Sequence, residues 1–164
     1  MTVALVTSGL IAPKIIIPAF GLTIRGELTT RTSISTCQSI TIKRANQVTL
    51  QFLLTSNGAK LTNAELIAAD NIIFAVKRDN KDSNLDALIY KDVLTATLDI
   101  LPDAGATDPN ISVTLNSNDT DIESDIYFLG VQVDFTSTFL EEADLILPDG
   151  SCLKNFIVEQ DVVR

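Results

Sequence analysis

The stretch YFLGVQVDF, residues 127–135, sets apolar side chains at Tyr127, Leu129, Val131, Val133 and Phe135, with Gly130, Gln132 and Asp134 among the residues between them. A period of two is the mark of a strand with one buried face, because successive side chains point to opposite sides. The same period recurs on both sides of this block. Ile40 and Ile42 form one pair, and Val48, Leu50, Phe52 and Leu54 follow after a turn at Arg44 to Gln47. Ile72, Phe74 and Val76 come next, then a weaker Ala87 and Ile89, then Ile111, Val113 and Leu115. Leu145 and Leu147 precede the turn Pro148-Asp149-Gly150, and Phe156 and Val158 come after it.

About seven or eight short strands separated by Asn, Asp, Gly and Ser predict an all-β fold, an antiparallel β-sandwich over residues 37–164 in which each sheet buries one face. Long helical patterns are absent. One short helix is predicted at Asn63 to Ala69, where Thr62 and Glu65 have the capping-box spacing. Leu101 to Asn110, with Pro102, Gly105 and Pro109, reads as a loop.

Residues 1–36 differ in character. Strand-like pieces, Lys14 to Ile17 and Leu22 to Arg25, are separated by Pro and Gly, and the Thr/Ser-rich stretch Thr29 to Thr36 leads into the sandwich. Each large apolar side chain left in water here costs roughly 1.5–3 kcal/mol. The expectation is an extended N-terminal arm covered by a neighbouring subunit through strand addition, with Lys14, Ile15, Ile16, Ile17, Phe20, Arg25 and Arg31 at the interface. The competing reading makes the same residues the first strands of their own domain.

Charge sharpens the asymmetry. The first 60 residues carry six bases (Lys14, Arg25, Arg31, Lys43, Arg44 and Lys60) against the single acid Glu27, within a chain of net charge −9. An acidic body repels polyanions, so nucleic acid is not an expected partner. A basic, apolar arm facing an acidic body suits contact between identical copies, and a homo-oligomer is expected. Val3 to Ile24 is apolar but broken by Gly9, Pro13, Lys14, Pro18 and Gly21, and lacks a basic leader, so neither a membrane partner nor a signal peptide is expected. The product is expected to be intracellular and to begin at Met1.

Chemistry finds few footholds. The chain has no histidine, which removes Ser-His-Asp and Cys-His catalysis and imidazole metal ligation. Cys37 and Cys152 lack C-x-x-C spacing, and phosphate-loop and nucleophile-elbow motifs are missing. Asp119, Asp121, Glu123 and Asp125 alternate as Ca²⁺ ligands can, yet without the glycine and flanking helices of an EF-hand, so a solvated turn is the plainer reading. The sequons at Asn110 and Asn118 read as chance matches. No enzyme activity, metal or cofactor is expected. A carbohydrate-binding module would need an aromatic platform, for which Phe20, Tyr90 and Phe128 are the candidates.

Four motifs in order carry a resemblance. They are IIFAVK (72–77), Val113-Thr114-Leu115 followed by Asp119-Thr120, YFLGVQV (127–133), and the closing FIVEQDVVR (156–164). Together they resemble an immunoglobulin-like domain of tailed-bacteriophage structural proteins, a family that includes domains similar to the baseplate upper protein. In that family F-x-V-K is followed by V-T-L-x-x-x-D-T, then Y-x-x-x-V-Q, and the domain closes on F-x-V-x-x-D-V-T-R. The resemblance covers Ser39 to Arg164, with Val163 in place of Thr and an insertion around Thr62 to Asn71.

The resemblance implies an Ig-like sandwich without catalytic residues, placed in the virion after assembly in the host cytoplasm. It also implies a connecting role in tail or baseplate, or capsid decoration, with other virion proteins as partners. Tyr127 is expected to bury its ring and bond a neighbouring loop, as in a tyrosine corner.

Overall fold

The computed structural model describes residues 14–24, 40–56, 59–79, 81–134, 140–144 and 156–161. In chain order these form β1 (Lys14–Ile24), β2 (Ile40–Lys43), β3 (Val48–Ser56), β4 (Ala59–Lys60) and α1 (Asn63–Ile67). They continue with β5 (Asn71–Lys77), a 3-10 turn at Asn84–Asp86, β6 (Ile89–Asp92), β7 (Leu98–Ile100) and β8 (Ile111–Leu115). β9 (Ile126–Asp134), β10 (Leu140–Asp144) and β11 (Phe156–Glu159) complete the set.

The strands make two sheets. In the first, β3 pairs antiparallel with β8, and β8 with β7, while β4 adds two residues beside Thr55 and Ser56. In the second, β5 lies antiparallel between β6 and β9. The other side of β9 is shared, β11 pairing at its start (Tyr127 with Phe156) and β10 at its end (Asp134 with Leu140). β2 completes this sheet beside β11, in parallel, from Ile40 opposite Phe156 to Lys43 opposite Glu159.

Among the described residues eleven strands form one hydrogen-bonded path with its branches, and the ten within residues 37–164 exceed the seven or eight expected there. The expected antiparallel arrangement is also corrected, because β2 with β11 and β1 with β3 run parallel. A strand shows period two whichever way its partner runs, so alternation could not reveal direction. Phe135, the block Leu145 and Leu147, the turn at Pro148 to Gly150, and both cysteines lie outside the described residues. The strand described before that block is β10 at Leu140–Asp144.

The core matches the alternating pattern. Leu50, Phe52, Leu54, Ile72, Phe74, Val76, Ile111, Val113, Leu115 and Phe156 are buried, with Tyr127, Leu129, Val131 and Val133. Phe52 of β3 and Phe74 of β5 bring the sheets together, their ring centroids 5.9 Å apart and tilted by 52°. Aromatic pairs favour such inclined packing over a flat stack. Ile73 and Ala75, on the opposite face of β5, are buried too, as suits a strand with neighbours on both sides.

The short helix forms as its cap dictates. The Glu65 amide donates to Thr62 Oγ1 at 3.2 Å, and the Thr62 amide donates to Glu65 Oε2 at 2.8 Å. The helix stops at Ile67 and buries only Leu66. Leu101 to Asn110 is a loop, held by the Lys60 ammonium donating to the Gly105 carbonyl at 2.8 Å and the Asn63 side-chain Nδ2 donating to the Leu101 carbonyl at 2.9 Å. No helix among the described residues is long and apolar enough to cross a membrane.

Candidate functional site

The residues expected to form an assembly surface fall mainly in β1. Ile15, Ile16 and Ile17 are β-branched and favour extended backbone. Pro18 has no amide to give, and the register shifts between Ile17 and Phe20, which is where a strand can accept a proline. Lys14 stands opposite Thr49, Ile15 opposite Leu50, Ile16 opposite Gln51, Ile17 opposite Phe52 and Phe20 opposite Leu54, all parallel to β3. Beyond Leu22 the strand changes neighbour, Thr23 pairing with Glu142 and Ile24 with Glu141 of β10.

β1 thus bridges the two sheets. Over Lys14–Ile24 the segment expected as an arm pairs with β3 and β10. Arg25 and Arg31 lie outside the described residues. Without β1, the amides and carbonyls of β3 and β10 on this side would form two bare edges, the feature that invites strand addition.

The basic end is also partly spent within the chain. Lys43 pairs with Glu159, Arg44 Nε with Asp121 at 2.8 Å, and Lys60 Nζ with Asp103 at 3.7 Å. These are three of the six bases counted there.

The acidic run after Leu115 does not converge. Asp119 takes Lys91 Nζ at 2.8 Å and the Asn116 amide at 2.8 Å, while Asp121 takes Arg44. Glu123 lies 3.7 Å from Arg78, and Asp125 accepts the Ile126 amide at 2.8 Å. No cluster of three or more metal-ligating side chains occurs among the described residues.

Several structural polar residues escaped the sequence reading. Asp92 is buried; it accepts from the Thr95 amide at 2.8 Å, from the Thr95 hydroxyl, and from the Tyr90 hydroxyl at 2.9 Å. Burial works against its ionisation, but the Thr95 and Tyr90 bonds outweigh it and hold the carboxyl below its ordinary range. Burial, followed by the bond to Asp92, raises Tyr90 above the ordinary phenol range. The spacing Asp92-x-x-Thr95 was the available signal, since Asp and Thr close turns on local amides. Asn110 is fully buried and bonded to backbone on both sides of its amide, which seals that sequon against a glycan in the folded chain.

Tyr127 is buried, and its hydroxyl donates to the Glu123 carbonyl at 2.7 Å. Burial, then the nearby Asp125 charge, raises this phenol above its ordinary range. Of the candidate aromatics, Tyr90 and Phe128 lie on the same face of the second sheet, on strands flanking β5, opposite Ala75 and Lys77 respectively.

Compared with family models and with curated proteins, the sequence matches none.

Proposed function

We propose that the chain is a non-enzymatic structural component of a tailed-phage virion, an Ig-like β-sandwich that joins neighbouring subunits at a tail, baseplate or connector position. The observation that carries the reading is the Tyr127 hydroxyl on the Glu123 carbonyl, just before β9. It reproduces a tyrosine corner, in which a Tyr near the start of a sandwich strand bonds backbone a few residues upstream. It falls at the Tyr of the Y-x-x-x-V-Q motif through which the sequence resembles phage Ig-like domains.

The strand plan supports the same reading. β3, β8 and β7 on one side face β6, β5, β9 and β11 on the other, with β2 parallel to the last strand. The polar side chains of Asn110 and Thr120, buried in this plan, are spent on backbone rather than gathered round a reacting centre. Gold-labelled antibody against the purified chain should decorate particles released from cells carrying its gene. Particles that stay bare to an antibody competent for the free chain would overturn the reading.

A second reading, a carbohydrate-binding receptor module, is favoured by Tyr90 and Phe128 sharing one sheet face. It requires glycan binding that disappears in Phe128→Ala while thermal stability is unchanged.

A further inference from the structure

We propose that β1 is exchanged between copies, so that in the assembled state the ladder position between β3 and β10 is filled by residues 14–24 of a second copy of this chain. The inference rests on reading the chain as an assembly component, and it names the joint.

The first support is connectivity. β1 is bonded to β3 and to β10, yet no hairpin ties it to either, and it reaches β2 only through residues 25–39. A tight turn would enforce pairing within one chain. Fifteen residues instead span up to roughly 50 Å when extended, more than the ~30 Å diameter of a small domain.

The second support is the equality of the two states. β1 of any copy offers β3 the same register, from Lys14 opposite Thr49 to Leu22 opposite Ser56. Closed and exchanged forms therefore make the same bonds, and local concentration decides between them. A virion array, which packs many copies side by side, supplies that concentration. Reciprocal exchange gives a closed pair, and one-way exchange gives a ring or a fibre.

The third support is the interruption of the strand. The shift between Ile17 and Phe20, across Pro18, divides the pairing with β3 into two short runs, with Thr23 and Ile24 held separately by β10. Short runs release more readily than one continuous ladder, which gives exchange a route that does not unfold the core.

The test uses the full chain with Cys37→Ser and Cys152→Ser. Ile16→Cys and Gln51→Cys are register partners on adjacent strands, spaced about 4.8 Å apart and so within disulfide reach. The two single-cysteine proteins are mixed, unfolded, refolded together at high concentration and oxidised. A covalent dimer on a non-reducing gel is expected, because a bridge between them must join two chains. The double variant should give dimers and larger species.

If the mixture stays monomeric and the double variant bridges only within one chain, exchange is overturned, while the virion reading still stands or falls on particle labelling. If neither preparation bridges although circular dichroism matches the parent, β1 does not lie on β3 and the proposal is overturned as well. Should the Ile16 and Gln51 changes alter the spectrum, Lys14→Cys with Thr49→Cys probes the same strand from its start.

Discussion

Asn110 meets Leu54 as another length of backbone would. Its Oδ1 accepts the Leu54 amide at 2.7 Å, while its Nδ2 donates to the Leu54 carbonyl at 3.0 Å and to the Leu61 carbonyl at 2.8 Å. At the point where β3 leaves β8, one side chain therefore supplies the bonds a further strand residue would have made. Asn110→Ala abandons all three in a dry site, where each unsatisfied group costs about 1–3 kcal/mol. A loss of about 3 kcal/mol is expected, seen as a fall in Tm of roughly 6–12 °C for a domain of this size. Asn118→Ala, at an exposed position, should change stability by less than about 0.5 kcal/mol.

Tyr127→Phe keeps the buried ring and removes only the bond to Glu123. At neutral pH the variant should be less stable by about 1 kcal/mol. Because the folded phenol is raised above its unfolded value, its contribution is fully present below about pH 10 and fades as pH rises through the folded value. The gap between wild type and variant should therefore close in alkaline urea titrations; a gap that widened there would contradict the assigned bond.

Asp92 predicts the opposite pH window. Its folded carboxyl titrates below the unfolded value, so its stabilisation is complete above about pH 3.9 and is lost as pH falls through the folded value. Asp92→Asn removes the charge from an acceptor of two Thr95 donors and the Tyr90 hydroxyl, a cost of about 1–3 kcal/mol at pH 7. Urea midpoints taken from pH 7 down to 2.5 should converge for the two proteins. Parallel curves would place the charge elsewhere.

What could be read from the sequence was what depends on near neighbours. Alternation marked Val48 to Leu54, Ile72 to Val76 and Tyr127 to Val133 as faces of strands, and those inward residues are buried. The Thr62 and Glu65 spacing gave the helix start, since a cap acts within four residues, whereas the loop bond of Tyr127 was implied only by the family resemblance. β7 escaped because three residues cannot display a period. The direction and partner of β1 escaped for a different reason: Ile16 meets Gln51 across a long stretch of chain, and strand-like pieces carry no mark of which ladder they join. Lys91 with Asp119, and Asn110 with Leu54, join distant parts of the chain as well. Such pairs form once the sheets are stacked and leave no trace in local spacing.

Nor does the sequence announce the strained turn between β6 and β7, because alanine occupies it. Ala96 sits at φ 54°, its amide donating to the Val93 carbonyl at 3.1 Å and the next amide, Thr97, donating to the Asp92 carbonyl at 3.1 Å. A residue with a Cβ pays about 1–2 kcal/mol in this left-handed region, whereas glycine gives up about 0.4–1 kcal/mol through a freer unfolded chain. Ala96→Gly should therefore stabilise the fold by about 0.5–1 kcal/mol. The same change at Ala75, buried in the centre of β5, should destabilise it by about 0.5–1 kcal/mol or more. Opposite shifts of Tm for one chemical change would locate the strain at the turn, and a fall in both would show that Ala96 is not held left-handed in solution.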